Sequence, residues 1–477
     1  MKGEGKRMKK WFQALILAVG LILALAPAAL AGTVTGEQLR QVFPQTPEPG
    51  KTLTRGEFAA LLARAAGMQV TADPAGTQGV AWYGPAVMAL KEKGVIRGYP
   101  DGGLHTDQPV TLLEAAVMAS RVLGLPDGVA APEVTGSLGR ESWGYSPYAW
   151  LVRAGLLQPG QDAGALLTVD GGVAFLARVF GSDPEAEKIA QAAHQAQAKV
   201  KDLKFAGSMA ISVRLRPGVA GEVPAVFSMQ GNIMQGNIES EFSYPLSLHQ
   251  KVDMTLRLPV EKLPGKDLST GGKMQMTMEQ YLVDGTMYQK VEAPGMEKPQ
   301  WMKLPKGALP DLEALVEQSR NAAGLPPGLK DSFHFQYLGE GIENGHKVHR
   351  IACYGRIDDW QALMQALPGG LTPEMEQALN QVGGVLKSIS FWGVEAVGVE
   401  DNLTYASEMT GLVAFADKFQ GETVPLETMT INMKVTDYQY NSGVKIQVPA
   451  EALTAPEVPL TPSEPDAKPS GSQQMQG

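Results

Sequence analysis

The sequence predicts a multi-domain chain: an all-α segment of three helical repeats, then an α+β domain built on one large, curved antiparallel sheet. Two observations predict this. Identical residues recur at a fixed spacing of 57 in the first part of the chain, with Thr54, Thr111 and Thr168 as one such set. Past Gly181 the apolar period changes from that of a helix to two, and Asp284-Gly285 and Asn344-Gly345 fall between alternating runs, a hairpin signature. At 477 residues there is room for two or three domains.

Residues 1–31 have a basic start, an apolar run from Trp11 to Ala26, then Pro27 and Ala29-Leu30-Ala31. This pattern predicts a secretory signal peptide cleaved ahead of Gly32, leaving no transmembrane segment. An uncleaved anchor helix is the alternative, because the run is borderline in length for a span. No cysteine stands just after the run, so a thiol-linked lipid anchor is not expected.

The repeats occupy residues 32–182, at about 36–68, 80–125 and 143–182. The middle copy is the most complete. Its start helix carries Ala86, Val87 and Leu90 on one stripe, with Lys91, Glu92 and Lys93 facing away. Gly94 suits the left-handed position that ends a helix. A turn follows at Tyr99-Pro100-Asp101-Gly102. Thr111 stands at an N-cap with Glu114 three residues on, a capping box, and the second helix buries Ala115, Val117, Met118 and Val122. Thr54 with Glu57, and Thr168, are the matching caps. Arg64, Arg121 and Arg178 share the period, and mid-helix they are expected to pair with acids between repeats.

This unit resembles an S-layer homology repeat. The family's glycine-rich turn is matched by Gly94-Val95-Ile96-Arg97-Gly98-Tyr99-Pro100-Asp101-Gly102, and its Thr-Arg-Ala-Glu element by Thr54-Arg55-Gly56-Glu57. That element is degraded to Thr111-Leu112-Leu113-Glu114 and to Thr168-Val169-Asp170-Gly171. The resemblance implies a pseudo-threefold bundle whose grooves hold the secondary polysaccharide of a Gram-positive-type cell wall. It points to Arg55, Trp82, Tyr83, Gly98, Tyr99 and Asp101 as polysaccharide-binding residues, Arg55 offering a fork to an acidic polymer. The competing reading is that Arg55 is structural, Trp82 fills a core, and the threonines and glutamates only cap helices. Loss of the arginine at Leu112 and Val169 leaves at most one groove with the full motif.

Net charge is −9, and residues 1–31 contribute +4, so the remainder is near −13. That excludes a nucleic-acid partner, whose phosphates need a basic surface. The single cysteine, Cys353, allows neither an internal disulfide nor a cysteine metal cluster, and its apolar neighbours suit a buried structural thiol. His346 and His349 are three apart in a strand and so face opposite sides, which excludes a shared metal. No nucleophile elbow, phosphate loop or paired-carboxylate arrangement is visible, so neither an enzyme nor a cofactor is expected.

Residues 183–203 predict a polar connecting helix. From 204 to 449, strands are expected from Phe205, from Lys273 to Leu282, and over Ser390–Val399, Leu403–Ala414, Met429–Tyr440 and Val444–Val448, with helices over Leu312–Ala323, Asp358–Leu367 and Pro373–Leu386. The hairpin Tyr281–Tyr288 followed by Trp301-Met302-Lys303 looks like the half-barrel lipoproteins and lipoprotein carriers of bacterial envelopes. That resemblance implies a helix-covered concave face able to hold an acyl chain. Met274, Met276 and Met278 are candidates for lining such an apolar cavity; an ordinary sheet core is the plainer alternative. The tail, 450–477, is rich in Pro, Ser and acids and is expected to be disordered.

The functional expectation is an exported surface protein, anchored on wall polysaccharide and presenting a non-catalytic half-barrel. The alternative is an envelope carrier or sensor of a lipid or other apolar ligand, with the repeats serving only to localise it.

Overall fold

The computed structural model describes residues 34–457 except 49, 71–80, 126–131, 133, 135–137, 217–230, 258–271, 295–299, 305–311, 322–331, 359–383 and 420. The expected signal peptide, and the helices expected at Asp358–Leu367 and Pro373–Leu386, fall almost wholly outside these residues.

Each repeat pairs a start helix with a longer second helix: α1 (Gly36–Arg40) with α2 (Arg55–Ala65), α3 (Gly84–Glu92) with α4 (Leu112–Val122), and α5 (Tyr145–Arg153) with α6 (Val169–Val179). The caps explain where α2, α4 and α6 begin. Thr54 and Glu57 cap each other reciprocally, as do Thr111 and Glu114. Thr168 accepts from Gly171 N at 3.1 Å, but glycine has no side chain to return the bond.

The residues just before these caps close a ring. Leu53 N donates to Leu167 O, Leu167 N to Val110 O, and Val110 N to Leu53 O, at 2.8, 3.0 and 3.0 Å. A second ring runs from Arg55 N to Gln108 O, Leu112 N to Ala165 O and Val169 N to Lys51 O, at 2.9, 2.9 and 2.8 Å. Successive donors are 57 residues apart, so the sequence period is the step of a pseudo-threefold rotation. Leu53, Val110 and Leu167 are all buried. The start helices α3 and α5 end on Gly94 and Gly155 at φ 69° and 72°.

The second part is an open sheet of eleven strands in the order β6-β5-β4-β3-β2-β1-β13-β10-β9-β8-β7. Their ranges are β1 (Asp202–Leu215), β2 (Gly231–Ser243), β3 (Ser247–Arg257), β4 (Lys273–Val283), β5 (Thr286–Glu292), β6 (Trp301–Leu304), β7 (Phe333–Glu343), β8 (His346–Ile357), β9 (Leu386–Gly398), β10 (Thr404–Phe415) and β13 (Leu426–Tyr440); β11 (Lys418–Phe419) and β12 (Glu422–Thr423) form a small separate ribbon. Every pairing is antiparallel. The sheet is curved and unclosed, a half-barrel. The hairpin tips Asp284-Gly285 and Asn344-Gly345 have positive φ throughout, as two-residue turns of this type require.

Two expectations are corrected. Val444–Val448 is not a strand; Ile446 and Val448 pack instead against Tyr281, Tyr288 and Trp301. The tail does not begin disordered: Ala450–Leu453 forms a short helix with Ala452 fully buried, and the chain runs on to a bridge between Glu457 and Lys303. Apolar side chains on the outside of β4–β6 supply the contacts that composition alone did not reveal.

The polar-looking segment after the repeats, α7 (Pro184–Gln197), buries Ala186, Ile189, Ala190 and Ala193 on Phe333, Phe335, Ile351 and Phe391 of the sheet. Its small residues, at helical spacing, let it lie close to the strands. The opposite face of β7–β10 carries the repeat bundle. Ala352, Tyr354, Trp392 and Leu412 belong to the same buried cluster as the bundle's own core. The repeats are therefore fused to the half-barrel through shared packing, with α7 as part of the sheet's cover.

This junction is made by the C-terminal ends of the bundle helices. Arg356 Nη1 donates to Val122 O at 3.0 Å, Tyr354 OH to Val179 O at 3.0 Å, and Gln336 Nε2 to Arg178 O and Gly181 O at 3.1 and 3.2 Å. Helix ends leave carbonyls without partners, and here the sheet's side chains satisfy them. Trp150 meets Trp392 with ring centroids 6.0 Å apart, and Arg153 pairs with Glu408. The glycine that follows α4 has a tight neighbour: a Cβ on Gly124 would lie 2.1 Å from Ser390 Oγ. The capped ends of α2, α4 and α6 lie at the other end of the bundle.

Candidate functional site

The backbone rings set the first turns of α2 and α4 side by side, and side chains from repeats one and two meet there. Arg55 Nη1 contacts Glu114 Oε1 at 3.2 Å and Nη2 donates to Arg97 O at 3.2 Å. The guanidinium lies 5.1 Å from the centroid of the Tyr99 ring, and the Tyr99 hydroxyl donates to the same Glu114 oxygen. Burial, and then that hydrogen bond, push the Tyr99 hydroxyl above its ordinary pKa. The other Glu114 oxygen accepts from Thr111 N at 2.9 Å. One carboxylate thus caps a helix and ties two repeats together. Arg55 is only 6 % exposed. The fork expected to meet an acidic polymer is committed inside the protein.

Around this pair lie the more exposed groups. Trp82, 38 % exposed, packs on Phe43 and Tyr83 with centroids 5.5 and 5.6 Å apart. The Tyr83 hydroxyl donates to Asp107. Tyr99 is 37 % exposed and meets the His105 ring edge-on at 4.7 Å. Asp101 accepts from Gly103 N at 2.8 Å and pairs with His105 at 2.6 Å, and these contacts hold its carboxyl below the usual range. Gly98 shapes the turn: a Cβ there would lie 3.3 Å from Gly103 O. The structure brings Arg55, Tyr99 and Asp101 into one polar seam, with Trp82 and Tyr83 on the same side of repeat two. Asp107 and His105 join them; residue type alone did not single them out.

The other two seams differ. Rotation by one repeat carries Arg55 onto Leu112 and Glu114 onto Gly171, so that seam has lost both charges, and Leu112 is buried. The third seam replaces Arg55 by buried Val169 and keeps Glu57, which pairs instead with Lys51 at 2.7 Å. A size exchange accompanies the charge loss. Gly56 leaves room for Tyr83, whose ring would lie 2.4 Å from an added Cβ; in the next seam Gly144 leaves room for Leu113, at 2.6 Å. Arg121, expected to pair with an acid, donates from Nη1 to Val95 O of its own repeat at 2.9 Å.

Residues 77–116 match the family model of the S-layer homology domain. The chain carries an S-layer homology domain. A surface layer protein of Brevibacillus choshinensis is 28 % identical over 153 residues, which is 27 % of this chain and 14 % of that protein. The chain thus spans a small part of the length of the curated relative it matches. Among solved structures, LprF from Mycobacterium bovis is similar at 12 % identity and TM-score 0.28, over 57 % of this chain and 99 % of its own. The lipoprotein LppX from Mycobacterium tuberculosis is similar at 10 % identity and TM-score 0.25, over 56 % of this chain and 100 % of its own.

In the half-barrel, Met274, Met276 and Met278 share the sheet face that α7 covers further along, opposite Leu256, Met254 and Val252 of β3. All three are half-buried. Cys353 is buried under α7, which raises its thiol well above the ordinary range. His346 stacks on Tyr405 and His349 Nδ1 lies 3.2 Å from Tyr337 OH, so the two histidines serve separate contacts. Among the described residues no helix is long and apolar enough to cross a membrane.

Proposed function

We propose that the chain is an exported cell-surface protein, held non-covalently on secondary cell-wall polysaccharide through the seam between repeats one and two, and that its half-barrel is presented without catalysis. The observation that supports this is that two exposed aromatic side chains, Trp82 and Tyr99, and the Asp101–His105 pair belong to repeat two, at the one seam that keeps both the arginine and the glutamate. Aromatic faces with a polar handle suit sugar rings, and Asp101 can accept from their hydroxyls. Arg55 contributes by holding Tyr99 and Glu114 in place.

Co-sedimentation of the whole chain with purified cell walls, before and after removal of the secondary polymer, tests the reading. The whole chain is used because bundle and half-barrel share a core. Pelleting is expected with intact walls only, and to be lost in Trp82→Ala with Tyr99→Ala. Equal pelleting with stripped walls would refute it.

A second reading concerns the half-barrel: its α7-side face holds a lipid or other apolar ligand. Half-buried methionines on seven neighbouring strands, from β5 to β10 in the order of the sheet, favour it, because methionine adapts to varied apolar shapes. Delipidated protein that gains no mass from an envelope lipid extract in native mass spectrometry would count against it.

A further inference from the structure

Two aromatic pairs of the first seam stand over one turn of helix. The Tyr83 ring lies against Gly56, and the Tyr99 ring against the Arg55 guanidinium, so consecutive residues of α2 carry the two tyrosines. Trp82 meets Tyr83, and His105 meets Tyr99, each edge to face. The chain from Asp101 to Asp107 brings a carboxylate to each pair. Asp101 holds the His105 ring at 2.6 Å, and Asp107 accepts from the Tyr83 hydroxyl. Gly56 N donates to Thr106 O at 2.8 Å and Arg55 N to Gln108 O at 2.9 Å. These two bonds bracket Asp107 and pin it to the same helix turn.

Both aspartates are exposed. A carboxylate oxygen has two lone pairs, so each can accept again from a ligand. The bond from Gly103 N, and then His105, keep the Asp101 carboxyl below the usual range. The arginines here are already engaged. Arg55 is held inside by Glu114 and Arg97 O, and Arg97 has a partner of its own. An acidic sugar would meet these carboxylates with only the His105 ring, already held by Asp101, to balance it. A protonated amine answers a carboxylate directly, and the faces of Trp82 and Tyr99 attract it as well.

We propose that this seam selects a wall polysaccharide whose contacting units are amino sugars with free amines, over N-acetylated or acidic units. The ammonium groups donate to Asp101 and Asp107, while the sugar rings lie against Trp82 and Tyr99. This rests on the reading above, that the seam binds wall polysaccharide, and assigns the charge of that polymer.

The test compares three tetrasaccharides by titration calorimetry on the whole chain, at low salt and about pH 6, where free amines are protonated. They are the glucosamine tetramer of chitosan, its fully N-acetylated form, and tetragalacturonic acid. The glucosamine tetramer is expected to bind roughly tenfold or more tighter than its acetylated form, with tetragalacturonic acid weakest. The preference should fall as salt is raised. Asp101→Asn with Asp107→Asn keeps shape and removes charge, so the preference should shrink several-fold. Trp82→Ala should weaken both neutral and amine-bearing tetramers. Equal affinity for those two, tightest binding of tetragalacturonic acid, or an unchanged preference in the folded double variant overturns the proposal while wall binding stands. Unweakened binding of the glucosamine tetramer to Trp82→Ala marks a general attraction to an acidic chain and overturns it as well. If no tetramer binds while intact walls still pellet the chain, the amine is overturned and the wall reading stands. If walls do not pellet it either, both are overturned.

Discussion

Arg55 and Glu114 lie 59 positions apart in the chain and pair at 3.2 Å across the seam between repeats one and two, both almost wholly buried. The geometry makes the pair a structural joint that also supports Tyr99.

Arg55→Ala leaves the Glu114 carboxylate buried without its partner. A loss of about 3–5 kcal/mol is expected, read from chemical denaturation. The neighbouring seam shows the apolar alternative, with Leu112 and Gly171 in the equivalent places. Arg55→Leu combined with Glu114→Gln should therefore be less destabilised than the two single variants summed, by roughly 0.5–3 kcal/mol. Strict additivity would show that the pair is not coupled.

Gly56→Leu drives a side chain into the Tyr83 ring, and a cost of about 1–3 kcal/mol or more is expected. Tyr83→Gly in the same chain rebuilds the Leu113–Gly144 arrangement of the next seam and should recover most of it. If melting temperature does not recover, the two seams are not interchangeable in packing.

Trp392→Ala opens a cavity where the half-barrel meets the bundle, between Trp150 and Tyr354. The expected loss is about 3–5 kcal/mol. Because both parts share that core, calorimetry should show one transition moving down as a whole. Two separating transitions, only one of them shifted, would mean that bundle and sheet unfold independently.

His334 is buried at the same junction, against Phe180 and Tyr354, and burial pushes its pKa down to about 4. The unfolded chain takes up this proton near pH 6.5. Below that the unfolded state holds more protons, so stability falls as pH drops from about 6.5 to about 4, by up to about 3 kcal/mol. Glu395 acts in the opposite sense. Its carboxyl is raised to about 7, so the folded state holds the extra proton and stability falls as pH rises from about 4.5 to 7. His334→Gln should flatten the acid limb of the stability profile, and Glu395→Gln should gain on the wild type above pH 7. A wild-type profile unchanged by either substitution would refute both assignments.

Local chemistry was legible in the chain itself. The caps at Thr54, Thr111 and Thr168, the turns at Asp284-Gly285 and Asn344-Gly345, and the glycine that ends α3 depend on residues a few positions apart. The period of 57 was legible too, because each repeat must present the same backbone groups to the next for the two rings to close. Only the tertiary structure decided which way Arg55 turns, since its partner Glu114 arrives from the next repeat. It also decided that α7 lies on the sheet, because a stripe of alanines carries little hydrophobic signal until a flat face is set against it. The joining of bundle to half-barrel was likewise decided in space. The carbonyls at the ends of α4 and α6 are common to every helix, and nothing in their own sequence says that Arg356, Tyr354 and Gln336, more than 150 residues away, will bond them.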